Sequence, residues 1–204
     1  ITGAGTIHNQ AHFVNNKEIR STNIFINQSR HVDSTAILIN NDSIITSGTF
    51  TNKVNTTITN NKYFENDGQM HNYHQINNIF GSYLVTKNYL TNYQNATISN
   101  KSIIKVMANT GVLDNYGTYL NNYETIVWGD FVNRSVGGVD ASLTNNAIFS
   151  IQVDGSADNQ GVFINNLYGV ISNNENDNVM QKITNNYGGI IESHQAVFTN
   201  FVED

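Results

Sequence analysis

Hydrophobic residues return every six positions along most of this chain, and an asparagine usually stands two residues after each. Ile7, Phe13, Ile19 and Phe25 are six apart; after a one-residue slip, Ile26, Val32, Leu38, Ile44 and Phe50 continue at six. Ile58, Phe64, Met70 and Ile76 follow, then Leu84, Leu90, Ile98 and Ile104, with steps of eight among the sixes. Two residues after these lie Asn9, Asn15, Asn27, Asn40, Asn52, Asn60, Asn66, Asn72, Asn78, Asn92 and Asn100. Six residues along an α-helix turn through about 600°, so such positions spiral and form no stripe. On a strand, steps of six and eight both return to the same face. Short strands separated by sharp bends therefore explain the pattern, and the odd slip near Phe25–Ile26 must fall in a turn. Stacking such strands coil upon coil gives an all-β parallel β-helix, or β-solenoid.

The asparagines fit this architecture. Equivalent residues of stacked coils lie roughly 4.8 Å apart. An Asn amide carries both donors and acceptors, so identical side chains can bond to the coil above and the coil below. Asn also tolerates the left-handed backbone that tight corners need. A codon bias toward Asn, Ile, Lys and Tyr would enrich the residue but would not place it two after an apolar one so often. The chain has no proline, which suits a backbone mostly engaged in ladders. Its 36 asparagines include no Asn-Gly pair, so the strongest hairpin signal of an antiparallel rival is missing.

With three faces of about six residues, each coil uses roughly 18 to 20 residues; the 204 residues then give about ten coils and a rod roughly 50 Å long. One domain spanning 1–204 is expected, with a loop-rich interruption at about 134–160. Ser135–Asp140 and Asp154–Gly161 read as loops there, and Phe149, Ile151 and Val153 alternate as a longer half-buried strand. The motif returns at Val162–Asn166, Val170–Asn174, Ile183–Gly189 and Phe198–Asn200.

Charged residues are 13% and the net charge is −6, which argues against a nucleic-acid partner. Apolar runs are far too short for a membrane span. Zero cysteine removes disulfides and thiolate-bound metals together. The chain starts at Ile1 with no signal peptide, as expected of a mature product or a piece of something longer. Six sequons, at Asn27, Asn41, Asn55, Asn95, Asn100 and Asn133, are candidate glycosylation sites, although a chain this rich in Asn, Ser and Thr produces some by chance.

The spelling of the repeat is sharpest at Phe64-x-Asn66-x-Gly68-x-Met70-x-Asn72 and Leu113-x-Asn115-x-Gly117-x-Tyr119-x-Asn121. Repeated with drift, it resembles the Asn/Gly-rich β-solenoid repeats of filamentous-haemagglutinin-like and autotransporter-type surface adhesins. That resemblance implies a right-handed parallel β-helix, an extracellular location and a stalk or adhesive role. It covers most of the chain but rests on low-complexity repeats. Left-handed hexapeptide solenoids share the period but not the spelling, so right-handed is favoured.

No cofactor is expected, and no catalytic constellation stands out. Asp154/Asp158 and Glu175/Asp177 are the densest carboxylate sets, and polar loop tips explain them better than a paired-acid hydrolase does. Asp154-x-Ser156-x-Asp158 starts like a calcium loop, but Asn159 stands where glycine is wanted. His71 and His74 could be half of a zinc site, as could His8 and His12; an exposed histidine pair is the simpler reading in both cases. Thr49-Phe50-Thr51 and Thr57-Ile58-Thr59 suggest a threonine array that then stops. Eight of the ten tyrosines lie between Tyr63 and Tyr123. Tyr73, Tyr93, Tyr116 and Tyr123 each follow an Asn and fall three after an apolar residue, so they should point outward near a corner. Stacked there, they form either a sugar-binding strip or a corner ladder with no partner.

The expected function is that of a non-enzymatic extracellular rod: a segment of a cell-surface filament, sheath or adhesin. Its neighbours would be other copies of itself or flanking repeats of a longer chain. Uncharged Ile1–Thr6 and apolar Val197–Val202 favour head-to-tail contact. The alternative is a carbohydrate-binding or polysaccharide-cleaving β-helix, with surface glycans as partners.

Overall fold

The computed structural model describes residues 2–3, 5–31, 33–134, 136, 139, 141–152, 156–159, 162–165, 170–173, 183–185 and 190–193. Every regular element in them is a strand, and three strands make one coil. The first coil is Thr2–Gly3 (β1), Ile7–Asn9 (β2) and His12–Asn15 (β3); the second is Ile19–Ser21 (β4), Ile24–Asn27 (β5) and Ala36–Asn40 (β6). Ser43–Thr46 (β7), Thr49–Asn52 (β8) and Thr56–Asn60 (β9) form the third, and Tyr63–Asn66 (β10), Gln69–Asn72 (β11) and Gln75–Asn78 (β12) the fourth. Next come Tyr83–Thr86 (β13), Tyr89–Asn92 (β14) and Thr97–Asn100 (β15), then Ile103–Val106 (β16), Val112–Asn115 (β17) and Thr118–Asn121 (β18). Glu124–Val127 (β19), Asp130–Asn133 (β20) and Ser142–Asn145 (β21) precede Ile148–Ile151 (β22), Ser156–Asn159 (β23) and Val162–Asn165 (β24). Val170–Asn173 (β25), Ile183–Asn185 (β26) and Ile190–Ser193 (β27) complete the set.

Each strand pairs in parallel with its counterpart one coil away. The result is three sheets of ten, eight and nine strands, here called faces A, B and C, headed by β1, β2 and β3. The chain is thus an all-β parallel β-solenoid. Face B aligns Met70 with Phe50 and Leu90, and face C aligns Ile76 with Ile58 and Ile98. Apolar positions six or eight apart therefore point inward from successive faces, and those one coil apart stack vertically. Phe13, Phe25, Phe50 and Phe64, from all three faces, form one aromatic run through the core, with successive centroids 6.2, 4.7 and 5.1 Å apart. Tyr119, Phe131 and Phe149 form a second, edge to face. The Tyr119 phenol shares a hydrogen bond of 2.7 Å with the Thr125 hydroxyl, and both are buried.

Asparagine closes the strands of faces B and C and lies in two buried columns. On face B, each Nδ2 donates to the Oδ1 of the next coil, from Asn9 through Asn27, Asn52, Asn72, Asn92, Asn115 and Asn133 to Asn159, over 2.6–2.8 Å. On face C the same chain runs from Asn15 through Asn40, Asn60, Asn78, Asn100 and Asn121 to Asn145, over 2.7–2.9 Å. The second amide hydrogen goes to a backbone carbonyl beyond the corner, as from Asn60 to Tyr83 at 2.8 Å and from Asn78 to Ile103 at 3.0 Å. All donors in both columns point toward the C-terminal end. Face A departs from this pattern. Its closing position runs Ser21, Thr46, Asn66, Thr86, Val106, Val127, Ile151, Asn173 and Ser193, so it is apolar in three successive coils and polar on either side of them.

Corner chemistry sets how closely coils approach. A Cβ on Gly68 would stand 1.9 Å from the Gly48 carbonyl oxygen, so only glycine fits there. Asn55 and Asn95 turn other corners with φ of 58° and 66°. The odd offset near Phe25 is absorbed by the long corner 28–35. Ile26 consequently faces outward on β5, and Val32 lies outside the described residues. Within 134–160, β21, β22 and β23 pair in register like their neighbours, and extra length sits at the corner 134–141.

Candidate functional site

Where face B turns into face C, the residue after each ladder asparagine is fixed by its own amide. The N–H groups of Lys53, Tyr73, Tyr93, Tyr116 and Arg134 donate to the carbonyls of Asn27, Asn52, Asn72, Asn92 and Asn115, each one coil below. Those bonds place five side chains in a column along the outer edge of the rod. Beside it runs a second outward column, Thr51, His71, Thr91, Asp114 and Val132, set by the register of face B.

Tyr73 and Tyr93 stack in parallel, 4.2 Å between centroids and 5° between planes. The His71 ring lies 5.9 Å from Tyr93, and its Nδ1 is 3.3 Å from the Tyr93 hydroxyl. Burial, aided by the charge of Lys53, lowers the His71 pKa and so favours the neutral imidazole. Burial, then the neighbouring Tyr73 phenol, pushes Tyr93 up to about 12, so it remains a donor at neutral pH.

One coil higher the regularity breaks. Tyr116 turns its hydroxyl to Asp114 Oδ2 at 3.0 Å, and Arg134 Nε donates to Asp114 Oδ1 at 2.9 Å. Between Tyr93 and this pair opens a cleft of about 420 Å³ lined by Thr91, Tyr93, Gln94, Asp114, Tyr116 and Val136. Val136, 48% exposed, sits in the corner 134–141, where it and Val139 exchange two backbone bonds. The same edge carries one other corner of that length, 28–35, whose Ser29 and Ser34 hydroxyls tie it together. Gln28, Arg30, His31, Lys53 and Asn55 line a smaller hollow of about 320 Å³ there.

The structure thus brings Tyr73, Tyr93 and Tyr116 to one edge but not Tyr123. Tyr119, rather than Leu120, is the core residue of β18, and the ladder residue is Asn121. Tyr123 follows Asn122 and lies on a different edge, edge to face with Phe80 at 6.3 Å. A further cluster, not anticipated from the sequence, covers face A. Lys105 lies over the rings of Tyr83 and Trp128, 5.6 and 5.8 Å from their centroids. Beside it Glu65 accepts from Tyr63 and pairs with Lys87 at 2.8 Å.

Of the six sequons, Asn27, Asn100 and Asn133 are buried ladder members whose amides are engaged with neighbouring coils in the folded rod. Asn41, Asn55 and Asn95 are exposed. His71 and His74 serve separate partners: His74 Nδ1 contacts the Thr56 carbonyl at 2.8 Å. His8 and His12 are exposed. Among the described residues no three His, Cys, Asp or Glu side chains converge on a metal position. Ser156 and Asp158 lie at alternate positions of β23, while Asp154, Glu175, Asp177 and Val197–Val202 lie outside the described residues. Thr49/Thr51 and Thr57/Thr59 belong to different faces, B and C, so they form no common array. Compared with protein-family models, curated proteins and solved structures, the chain matches none of them.

Proposed function

We propose that the chain is a structural rod: a segment of an extracellular filament, sheath or adhesin stalk, joined end to end with further coils. The observation that carries this reading is the continuity of three parallel sheets and two asparagine columns along the rod axis. At β1, β2 and β3 the sheets present a backbone edge that another coil can continue. Asn9 and Asn15 there turn their Oδ1 atoms to the local amides of Ala11 and Lys17, at 3.2 Å in each case. Either a second copy or neighbouring repeats of a longer polypeptide would supply that coil. The contact is heterologous, so it propagates unless it closes into a ring. Rigidity would be the working property: each coil is held by backbone ladders and buried amides, and neither requires a ligand. Light scattering across a concentration series, with negative-stain imaging, tests self-association. Rods of constant width and growing length are expected. A 22.7 kDa species at every concentration would refute joining between copies.

A further inference from the structure

We propose that the edge between the corners 28–35 and 134–141 binds an unbranched, extended, neutral hexopyranose chain lying parallel to the rod axis. Four observations converge on this ligand class. One face of Tyr93 is covered by Tyr73 at 4.2 Å, and Tyr93 also lines the adjoining cleft. A flat ring next to open space is the surface on which the C–H face of a pyranose stacks. Around that ring stand polar groups of mixed character: the Thr91 and Tyr116 hydroxyls, the Gln94 amide and the Asp114 carboxylate. Sugar hydroxyls donate and accept, and need partners of both kinds in fixed positions.

Length gives the third argument. From the level of Gln28 to that of Arg134 the edge climbs five coils, a distance of about 24 Å. One unit of an extended β-linked hexopyranose chain advances by about the length of one sugar ring, comparable to the rise of one coil. A straight polymer can therefore stay in register with the column, whereas a helically curved α-linked chain leaves it.

Charge gives the fourth. In the cleft Arg134 is neutralised by Asp114 at 2.9 Å, and the other cations of the edge, Arg30 and Lys53, line the separate hollow at its lower end. The chain as a whole carries −6 and repels a polyanion. A neutral glucan or N-acetylglucosamine polymer fits both facts better than a uronic acid polymer. The inference stands whether or not the rods join end to end.

The test is titration of the intact chain with cellohexaose and chitohexaose, followed by calorimetry and amide chemical shifts. Cellobiose and chitobiose serve as short probes, and maltohexaose as the curved one. At least one extended hexamer should bind with Kd below about 1 mM, and its disaccharide at least about tenfold more weakly. Amide shifts should concentrate at residues 91–94 and 114–116. Tyr93→Ala should weaken binding at least about tenfold, Tyr93→Phe by much less, and Tyr83→Ala on face A not at all. The amide-shift map of the unmodified chain decides the matter even if Tyr93→Ala fails to fold. Absence of binding by both extended hexamers, equal binding of maltohexaose, or shifts centred away from this edge would overturn the proposal.

Discussion

Replacing Asn72 with leucine probes the ladder at its middle. Asn72 Nδ2 donates to Asn92 Oδ1 at 2.7 Å, and Asn72 Oδ1 accepts from Asn52 Nδ2 at 2.8 Å. Leucine removes both bonds, together with longer ones from Nδ2 to the Thr97 and His74 carbonyls at 3.3 and 3.4 Å and from the His74 amide to Oδ1 at 3.4 Å. Asn52 Nδ2 keeps the Gln75 carbonyl at 3.1 Å, so its loss is one ordinary hydrogen bond, about 1 kcal/mol. Asn92 Oδ1, fully buried, loses the donor from the coil below, which costs about 1–3 kcal/mol. Methyl carbons also need about 3.5–4.0 Å where amide atoms now sit closer, so the coils must part slightly. Apolar burial of the new side chain offsets some of this, and the net expectation is a loss of about 3 kcal/mol. Urea unfolding followed by far-ultraviolet circular dichroism measures it through the midpoint at constant slope. Asn77→Leu, an outward position one residue from a ladder member, should stay within about 0.5 kcal/mol of the parent. The double variant Asn72→Leu/Asn92→Leu should cost less than the sum of the singles, because the orphaned oxygen goes with its partner. If Asn72→Leu unfolds at the parent midpoint, or if the two losses simply add, the buried amides do not act as a connected column.

Tyr119→Phe should cost about 1 kcal/mol in the same assay, since it leaves the buried Thr125 hydroxyl without its 2.7 Å partner. Burial opposes ionisation of Glu65, but hydrogen bonds from Lys87 and Tyr63 outweigh it and hold its pKa below the usual carboxylate value. A depressed folded pKa adds stability that is present above the unfolded pKa and lost as pH falls through the folded one. Glu65→Gln should therefore lower the urea midpoint at pH 7, with the difference from the parent vanishing in strong acid. Gly68→Ala should unfold the chain or lower its midpoint steeply, because the Gly48 carbonyl is in the way, whereas Gly5→Ala, with open space around it, should be near neutral. An alkaline absorbance titration should show Tyr63 and Tyr93 ionising near 12, and Tyr119 only as the fold opens, because burial raises all three. Ionisation of every tyrosine near 10 would contradict their burial.

Most of the fold was legible because even spacing and strand parity carry the same information. Ile58, Phe64, Met70 and Ile76 face inward for the reason their spacing suggests. Parity fails wherever an odd number of residues hides in a corner. The six-residue step from Ile26 to Val32 is a coincidence of composition, since the corner 28–35 separates β5 from β6. Tyr123 shares the local spacing of the other tyrosines only through Leu120, whereas the repeat unit ending Tyr119-x-Asn121 makes Tyr119 the inward residue. A shift of one residue to Tyr119 reverses every side chain and moves the corner. The stack of Tyr73 on Tyr93 was accessible from their position after ladder asparagines. The cleft beside it was not, since it depends on Tyr116 turning toward Asp114 and on the corner carrying Val136. Nor did the repeat reveal that the closing position of face A carries Val106, Val127 and Ile151 in three successive coils.

The common direction of the buried amides has a consequence for how errors behave. Rotating the Asn72 amide by half a turn would set its oxygen against the Asn92 oxygen and its nitrogen against the Asn52 nitrogen, at distances of 2.7 and 2.8 Å. Both contacts are like against like, so a single reversed member cannot rest in the middle of the row. It is driven either to turn back or to turn its neighbour, and the disturbance runs on like falling dominoes until it leaves at an end. The backbone carbonyls that take each second amide hydrogen, such as that of Tyr83 for Asn60, favour the same direction at every coil, so the polarity of the parallel strands is written again in the side chains of the interior.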